Sequence, residues 1–406
     1  MTIERPAAGG RMIARHEGAV VFVAGAIPGE IVEAEIEKVQ RGTAWATTRE
    51  ILERSPDRVA DAVDSDCGGA VFAHVAYQRQ RQLKAEIITD AFRRIGRIAL
   101  DGPTDVVASP VSGHRMRARF HVRDGRIGFF REGTHTLCDV ALTGQLRDDA
   151  VGVVRALEAA LAPIADRTIS DIELSENISA SERAIHIELL PDADPSRLTA
   201  LTQVDGLTGA SCAHPENART IELWGSPFVT DTIAGATLSR HARSFFQGNR
   251  FLTGALVEEV LSQVQPGALL DLYAGVGLFS ITAAAAGKGA VTAVEGDRSS
   301  FADLKRNAQP HEVIVKAAAV EEFVMRSRET YASVIVDPPR TGMSKEAIAG
   351  VVELGAPRLV YVSCDIATLA RDARVLLDAG YRITSMRAFD LFPNTAHVET
   401  VISFSR

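Results

Sequence analysis

A cysteine stands at the end of an apolar run in the last part of the chain, where its thiol could face a cleft. The stretch LVYVSCDIATLARD places Cys364 after a pattern typical of a buried strand and before a pattern typical of a helix. A thiolate there can attack an electrophile, and Ser363 and the N-terminus of the helix are expected to lower the pKa of the thiol. Because a cysteine at a strand end can also be a small core residue, the stretch alone leaves both interpretations open.

Two carboxylates accompany this thiol elsewhere in the sequence. Asp337 ends a predicted strand and is followed by two prolines, which fix an extended exit and leave the carboxylate facing the cleft. The motif is similar to the Asp/Asn-Pro-Pro-aromatic loop of enzymes that methylate exocyclic amines, but Arg340 replaces the aromatic residue, which disfavours that chemistry. Glu399 lies in DLFPNTAHVETV. A lone glutamate is usually solvated or salt-bridged. Together with a nucleophile it indicates a two-part mechanism.

A glycine-containing turn indicates a nucleotide site. The stretch DLYAGVGLF begins at Asp271 and places Gly275 and Gly277 between a predicted strand and a predicted helix, where glycine lets a ligand approach the backbone. The next strand is predicted to end at Glu295, whose carboxylate can accept both hydroxyls of a ribose. A dinucleotide fingerprint would need glycine at Ser280, so the pattern favours S-adenosylmethionine (SAM), which needs no phosphate cradle. NAD is the alternative cofactor. The interpretation without a ligand is that these glycines only form a tight turn.

Three blocks of different pattern must position these residues. Residues 1–54 alternate in the manner of strands and predict a small closed sheet of the OB type. Residues 55–230 mix a helix with alternating runs and predict an α+β domain. In residues 231–406 strands alternate with helices, which predicts an α/β fold with a doubly wound, mainly parallel sheet that binds ligands at the carboxyl ends of its strands.

The composition is that of a globular protein, but its charge is unevenly distributed. The 406 residues are 46% hydrophobic and 24% charged, with a formal net charge of −8, which by itself disfavours nucleic acid. Between Arg79 and Arg131, twelve basic and five acidic residues leave a net charge of +7. Because phosphate-binding surfaces are local, this stretch predicts either a nucleic-acid contact or a solvated basic face.

Neither a membrane span nor a signal peptide is visible in the sequence. No stretch reaches about 20 uninterrupted apolar residues, and the first residues lack the apolar region of a signal peptide. The four cysteines are widely spaced and form no CxxC pair, which argues against a disulfide framework and for a reducing compartment. We therefore expect a cytoplasmic protein without a membrane partner.

Along nearly its whole length the chain resembles the SAM-dependent RNA 5-methyluridine (uracil-5) methyltransferases. FVAGAIPGE and GEIVEAEI are similar to the N-terminal TRAM domain of that family, a small RNA-binding barrel, and SFFQGN is similar to its Phe-x-Gln-x-Asn stretch. DLYAGVG, DPPR, VSCDIATLARD and FPNTAHVETV follow in the order and spacing of the family. The resemblance implies a Rossmann-like SAM-dependent methyltransferase domain that follows a TRAM barrel and an α+β central domain.

The resemblance also implies roles for individual residues. Four residues would contact SAM, namely Gln247, Tyr273, Glu295 and Asp337. Carbon-5 of uracil is too weak a nucleophile to take a methyl group directly. Addition of Cys364 to carbon-6 would make an enolate that can do so, and Glu399 would then remove the carbon-5 proton as general base. The implied substrate is a uridine in rRNA or tRNA, which must be unstacked to enter such a pocket.

The chain departs from the family in its cluster ligands. Many members hold an iron–sulfur cluster with Cys-x5-Cys-x2-Cys and a distant fourth cysteine. The matching positions in this sequence are Asp61, Cys67, Ala70 and Thr143, and Cys138 is not in a motif position. A single thiolate cannot hold a four-iron cluster, so we predict that the protein has none.

One basic stretch and one asparagine also bear on RNA binding. In HRMRARFHV, which resembles a basic strand of the family, the alternating Arg115, Arg117 and Arg119 share one face. They could meet phosphates or form a solvated edge strand. Asn394 replaces a frequent glutamine and is expected to alter contacts around the target base.

Two other function classes fit parts of the pattern. A SAM-dependent N-methyltransferase acting on RNA, DNA or protein would not need Cys364. A non-catalytic RNA-binding protein with a vestigial SAM pocket would bind without turnover. A Cys364 thiol walled off from solvent, or a Glu399 pointing out of the pocket, would count against the uracil-5 chemistry.

Overall fold

The computed structural model describes most of the chain, namely residues 1–60, 63–64, 67–131, 133–164, 168–213 and 219–406. Three β-sheets and one two-stranded hairpin contain the strands of this part. None of its helices combines the length and the apolar character that crossing a membrane requires.

The N-terminal residues form a closed sheet. Its strands are β1 (Ile3–Pro6), β2 (Met12–His16), β3 (Ala19–Ala24), β4 (Ile31–Gln40) and β5 (Thr43–Glu53). They lie in the order β1-β2-β3-β5-β4, and an antiparallel bridge between Thr2 and Ile31 joins the two outer strands. This closure gives the predicted OB-type barrel. The buried carboxylate of Glu30 pairs with Arg58 and ties the end of the barrel to the segment that follows.

Three elements follow the barrel, namely the helix α1 (Tyr77–Ala91), a π-helical turn (Phe92–Gly96) and the strand β6 (Val106–Val107). They lie in the stretch predicted as the central domain, yet they pack on the C-terminal part of the chain. Ile88 and Phe92 are buried in one apolar cluster with Leu369, and β6 pairs with a strand of the C-terminal sheet. The predicted division into three domains stays a prediction, and we place α1 and β6 with the C-terminal part.

A seven-stranded sheet forms the middle of the molecule. Its strands are β7 (Arg117–Arg123), β8 (Arg126–Phe130), β9 (Leu137–Cys138), β10 (Ile169–Glu176), β11 (Arg183–Leu189), β12 (Gly209–Ala213) and β13 (Ile221–Gly225). They lie in the order β13-β12-β11-β10-β7-β8-β9. The helix α2 (Asp148–Leu161) buries Val153 and Leu157 in the same apolar cluster as the sheet. Short 3₁₀ helices at Val140–Thr143 and Pro195–Gln203 complete this part.

A hairpin of β14 (Phe228–Ile233) and β15 (Ala236–His241) leads to the C-terminal sheet. Apart from β6, the strands of that sheet are β16 (Leu269–Leu272), β17 (Val291–Glu295), β18 (Val313–Ala317), β19 (Ser333–Val336), β20 (Arg358–Ser363), β21 (Arg382–Phe389) and β22 (Glu399–Ser405). The helices of this part are α3 (Thr253–Gln263), α4 (Leu278–Ala285), α5 (Arg298–Ala308), α6 (Val320–Arg326), α7 (Lys345–Leu354) and α8 (Ile366–Asp378).

The order of these strands defines where a ligand would bind. The sheet runs β18-β17-β16-β19-β20-β22-β21-β6. Neighbours from β18 to β20 are parallel, whereas β22 is antiparallel to both β20 and β21. The strand order reverses at β16, so the crevice lies at the carboxyl ends of β16 and β19. This is the predicted doubly wound α/β sheet.

A disulfide joins Cys67 to Cys138. The sequence argument against disulfides is therefore wrong for this pair. Their Cα atoms are 5.8 Å apart, which is the usual separation for a bridge, and both residues are buried. The spacing of the cysteines in the sequence could not predict this bridge. Only the fold brings Cys67 beside Arg131, which follows β8, and β8 pairs with β9, which contains Cys138. Cys212 and Cys364 are free thiols.

Opening this bridge is expected to lower the stability of the protein. Closing a loop across a sequence separation of 71 lowers the entropy of the unfolded chain, which is worth about 4 kcal/mol. We expect a reductant to lower the melting temperature of the wild-type protein, measured by scanning fluorimetry with mass spectrometry to verify the open bridge. The Cys67→Ser/Cys138→Ser variant should melt at the lower temperature with or without reductant. An unchanged melting temperature in wild-type protein with a verified open bridge would contradict this.

Asn394 fastens the loop between β21 and β22 to α1. Its backbone φ is 64°, in the left-handed region that asparagine adopts more readily than most residues. Its Oδ1 accepts a hydrogen bond from Gln80 Nε2 at 2.9 Å, and its backbone N–H donates to Gln80 Oε1 at 3.0 Å. Its carbonyl accepts from the N–H of Phe72 at 2.8 Å. Asn394 thus has an anchoring role, and its effect on the target base stays a prediction.

Replacing Asn394 by the longer glutamine is expected to destabilise the protein by about 1 kcal/mol, because the left-handed backbone is disfavoured and the paired hydrogen bonds are displaced. Asn394→Gly is the matched control, since glycine accepts this φ and loses only the side-chain bond. We expect its unfolding midpoint in urea to lie between those of the wild-type protein and the glutamine variant. A glutamine variant as stable as the wild type would show that the anchor is dispensable.

Candidate active site

Cys364 and Glu399 face each other across two neighbouring strands. Ser363 pairs with Thr400 in the antiparallel ladder of β20 and β22, so the next position outward holds Cys364 opposite Glu399. Side chains at directly opposite positions point to the same face, with Cα atoms roughly 4.5–5.5 Å apart. Asp337 follows β19, the parallel neighbour of β20. The thiol and the two carboxyl groups therefore meet at the carboxyl edge of the sheet.

The exposure of these groups fits a reactive site. The Cys364 residue is partly exposed rather than walled off from solvent. Glu399 is 2% exposed, and its carboxyl group lies within electrostatic reach of Cys364 and Asp337. Neither of the two arrangements that would have counted against a reactive pair is present.

Burial and mutual repulsion raise the pKa values of these groups. Burial raises the pKa of Glu399 well above its ordinary value, and the charge of Asp337 adds to the effect. Burial also raises the pKa of Asp337 to about 7, with a contribution from Asp271 and an opposing hydrogen bond from Gln247. The pKa of Cys364 rises to about 12 through burial and the charges of Glu399 and Asp337. A carboxylate with a raised pKa accepts a proton readily, so Glu399 suits a general base.

A glycine and a hydrogen bond to a buried carboxylate define the turn after β16. Gly277 has a φ of 97°, and a Cβ on it would lie 2.6 Å from Ile281 Cγ1, so the start of α4 requires glycine. The buried Asp271 accepts a hydrogen bond through Oδ2 from the backbone N–H of Ser280 at 2.9 Å. This N–H lies in the first turn of α4. In a dinucleotide site the free N–H groups of that turn bind the pyrophosphate, whereas the N–H of Ser280 is bonded to Asp271.

Glu295 and Tyr273 stand at the ends of the two strands beside this turn. Glu295 Oε2 accepts from the N–H of Gly275 at 2.7 Å, and Oε1 accepts from the N–H of Asp297 at 2.6 Å. These bonds orient the carboxylate and leave further lone pairs for ribose hydroxyls. Tyr273 has a left-handed φ of 61° and is half-buried. Burial and the charge of Glu321 raise the pKa of its phenol.

Gln247 reaches the site from the segment between β15 and α3. Its side chain is buried and hydrogen-bonds Asp337. Two positions on, Asn249 clamps the segment by donating from Nδ2 to Ser109 Oγ at 2.9 Å and to the carbonyl of Leu391 at 3.1 Å. The structure thus brings four predicted site residues into one group, namely Gln247, Asp337, Cys364 and Glu399. The other two, Tyr273 and Glu295, stand at neighbouring strand ends, and the roles of all six stay predictions.

Two residues at the mouth of the site were missed as site residues. The charge of Arg340 acts on Cys364, Glu399 and His397. The ring of His397 meets that of Phe392 edge-on, with centroids 6.0 Å apart. Burial and the charge of Arg340 lower the pKa of His397. The signal was present in the Asp-Pro-Pro-Arg motif, because a cation beside a cysteine is a common means of stabilising a thiolate.

The three arginines of the basic strand already have protein partners. Arg115 Nη1 donates to Gln145 Oε1 at 2.5 Å. Arg117 is paired with Glu173, and Arg119 is paired with Asp171 at 3.0 Å. The pairs of Arg117 and Arg119 join β7 to β10, whereas Arg115 precedes β7. Phosphate binding by the three arginines stays a prediction.

The residues at the cluster positions do not fit a four-iron cluster. Cys67 is bonded to Cys138, and Ala70 and Thr143 offer no thiolate. Asp61 lies outside the described residues. In the part of the chain that the structure describes, no three His, Cys, Asp or Glu side chains are grouped as metal ligands. The absence of a cluster from the protein stays a prediction.

The solved structures contain a close match to this fold. The tRNA (uracil-54, C5)-methyltransferase of Pyrococcus abyssi, solved in complex with S-adenosyl-L-homocysteine, superposes with a TM-score of 0.80. The match covers 99% of this chain and 98% of the other at 24% identity. The two chains therefore share one fold from the N-terminal barrel to the last strand.

The sequence comparisons identify the family. The model described as tRNA (Uracil-5-)-methyltransferase matches residues 236–406, and the TRAM domain model matches residues 1–48. An uncharacterized RNA methyltransferase of Streptomyces avermitilis is 32% identical over 97% of this chain and 94% of its own length. The 23S rRNA (uracil(1939)-C(5))-methyltransferase RlmD of Pseudomonas entomophila is 30% identical over 100% of this chain and 93% of its own. The chain therefore belongs to the RNA (uracil-5-)-methyltransferase family, with a TRAM domain at its N-terminus.

Proposed function

We propose that this protein transfers a methyl group from SAM to carbon-5 of a uridine in RNA through a covalent bond between Cys364 and carbon-6 of the uracil. The observation that carries the proposal is the opposition of Cys364 and Glu399 across β20 and β22 at the ligand edge. The reaction needs a nucleophile to add to the ring and a base to remove a proton from the neighbouring carbon. A thiol and a buried carboxyl group on facing strands meet both needs.

The residues of the chain supply the steps around the methyl transfer. Cys364, as a thiolate, gives an electron pair to carbon-6, and the electrons of the C5–C6 double bond move to carbon-5 and the neighbouring carbonyl. SAM, when bound, supplies an electrophilic methyl group. Glu399 then takes the proton from carbon-5, the double bond forms again, and the sulfur of Cys364 leaves with its electron pair.

Four residues of the site are assigned to hold SAM. Glu295, oriented by two backbone N–H groups, would accept the ribose hydroxyls. Asp337 and Gln247, hydrogen-bonded to each other, offer polar groups for the amino acid end, and Tyr273 would pack against the cofactor. NAD is disfavoured, because the N–H of Ser280 is already taken by Asp271 instead of facing a pyrophosphate.

The two alternative function classes predict different behaviour of the same residues. An N-methyltransferase has no step for the thiol of Cys364, and a non-catalytic RNA-binding protein has no step for Glu399. The facing arrangement of these two residues, one of them a carboxyl group with a raised pKa, favours the uracil-5 reaction over both.

Glu399→Gln is expected to trap a covalent protein–RNA adduct, because the methylated intermediate cannot lose its carbon-5 proton. Turnover should fall by about 10²–10⁴-fold, the usual worth of a general base. The measurement is a denaturing gel of the variant with SAM and radiolabelled substrate RNA, together with methyl transfer from labelled SAM.

The controls for this experiment remove one role at a time. Glu353→Gln changes an exposed glutamate on α7 and should behave as the wild type. Cys364→Ala alone should abolish transfer, and combined with Glu399→Gln it should abolish the trapped band. Full methyl transfer by Cys364→Ala protein would sink the covalent mechanism and favour the N-methyltransferase.

We place 23S rRNA first among the RNA substrates. The full-length relative that is 30% identical is named a 23S rRNA methyltransferase, whereas the structurally similar tRNA enzyme is 24% identical. Mapping of 5-methyluridine in cells that lack the gene should show one position lost from 23S rRNA, restored by the wild-type gene but not by a Cys364→Ala allele. Loss from tRNA alone would overturn this choice and leave the chemistry intact.

A further inference from the structure

A buried ion pair joins the central sheet to the connecting segment, residues 242–252 between β15 and α3, which contains Gln247. The pair consists of Arg250 in this segment, which is 6% exposed, and Glu176 at the end of β10, which is fully buried. Arg250 Nη2 donates to Glu176 Oε2 at 2.5 Å. Because an uncompensated charge in a medium of low dielectric is strongly destabilising, neither group can leave the other at small cost. The pair therefore fixes one part of the connecting segment to the central sheet.

Arg250 makes further bonds to the ends of two neighbouring strands. Its Nε donates to the carbonyl of Gly113 at 3.0 Å, and its Nη1 donates to the carbonyl of Ile178 at 2.9 Å. Its backbone N–H donates to the carbonyl of His114 at 3.0 Å. Gly113 and His114 precede β7, and Ile178 follows β10, which pairs with β7. The planar fork of arginine reaches all these acceptors at once, which the single nitrogen of lysine cannot do.

The backbone of the connecting segment also pairs with the stretch that leads into β7. The N–H of Met116 donates to the carbonyl of Gly248 at 2.9 Å, and Arg115 and Asn249 form an antiparallel bridge. Gln247 directly precedes this bonded stretch, and its side chain is buried. The position of Gln247 therefore depends on the central sheet.

Glu176 binds a second guanidinium through its other oxygen. Its Oε1 accepts from Nε of Arg183, which is 5% exposed and begins β11. The further partners of Arg183 are Asp149 and the carbonyl of Gly206, which both belong to the central part of the chain. The two arginines thus share one carboxylate and have similar burial, but Arg183 lies outside the connecting segment. Comparing them separates the position of that segment from the stability of the central sheet.

We infer that Arg250 is a positioning residue for SAM, which acts by holding Gln247 in place from the central sheet. The inference rests on the proposed function, in which Gln247 is one of the residues that hold SAM. The guanidinium of Arg250 is bonded to a carboxylate and to backbone carbonyls, so it acts on the cofactor through the segment and not by contact. Without these bonds the segment must be ordered when SAM binds, which lowers the affinity.

The test measures cofactor binding without RNA, by titrating the whole chain with S-adenosyl-L-homocysteine in a calorimeter. Arg250→Met should raise the dissociation constant about tenfold, the worth of one hydrogen bond from Gln247. Arg250→Lys keeps a charge opposite Glu176 but loses bonds to the carbonyls, so its dissociation constant should lie between those of the wild type and the methionine variant.

Arg183→Met is the matched control. It removes a buried guanidinium from the same carboxylate, so it should lower the unfolding midpoint in urea about as much as Arg250→Met does. Its dissociation constant for S-adenosyl-L-homocysteine should equal that of the wild type, because the connecting segment keeps its bonds.

A double-mutant cycle tests whether Arg250 acts through Gln247. Gln247→Ala alone should weaken binding, and Arg250→Met should then weaken it little further, because an absent side chain needs no positioning. Fully additive effects would show that Arg250 acts by another route and would overturn the inference. In methyl transfer to RNA, Arg250→Met should raise the KM for SAM and retain kcat at saturating SAM.

The outcomes separate this inference from the proposed function. An unchanged dissociation constant in folded Arg250→Met protein, or an equal rise in Arg183→Met protein, would overturn the positioning role. If the methionine variant does not fold, the lysine variant decides, and wild-type affinity in it would overturn the role. The proposed function fails in a different way, namely if the wild-type protein binds no S-adenosyl-L-homocysteine or methylates no uridine. Weaker cofactor binding by Arg250→Met in the absence of uridine methylation would leave the positioning role standing.

Discussion

The antiparallel insertion of β22 between β20 and β21 is the constraint on which the site depends. A parallel strand would start at the opposite edge of the sheet, and the seven residues of β22 span roughly 23 Å. Glu399 would then be far from Cys364. Because β22 runs the other way, its first residue lies beside the last residues of β20. The register is equally strict, since a slip by one residue would turn Glu399 to the other face of the sheet.

The carboxyl groups concentrated at this edge favour the role proposed for Glu399 and oppose the role proposed for Cys364. Burial and Asp337 raise the pKa of Glu399, which makes its carboxylate a stronger base. The same burial and the same charges raise the pKa of Cys364, which makes the thiolate scarcer. Burial and acidic groups alone would therefore favour proton removal by Glu399 and disfavour attack by the thiolate of Cys364. The charge of the exposed Arg340 acts in the opposite direction and lowers the pKa of both groups.

Local patterns predicted much of the C-terminal sheet, because buried strands are short apolar runs and helices have their own period. The predicted strand ends at Glu295 and before Cys364 agree with β17 and β20. Two elements of this part carry no such pattern. They are β18, a partly exposed strand at the sheet edge, and α6, whose seven residues are too few for a clear period. Local patterns could not predict contacts between distant segments, such as the disulfide and the packing of α1 on the C-terminal part. The helix after Cys364 is predicted by its pattern, but its capping by Asp365 is visible only in the structure.

The disulfide and the catalytic edge are connected through the segment that leads into α1. After the bridge, the N–H of Phe72 donates to the carbonyl of Asn394 at 2.8 Å. Lys84 of α1 forms an ion pair of 2.5 Å with Asp390, and neither side chain is exposed. A buried pair tolerates little separation, because parting the two charges leaves each uncompensated in a medium of low dielectric. The loop before Glu399 is thus held at Asp390 and Asn394 by a segment that follows the bridge to the central sheet. Movement of that sheet would reach Glu399, the proposed general base, through packed contacts and buried charges.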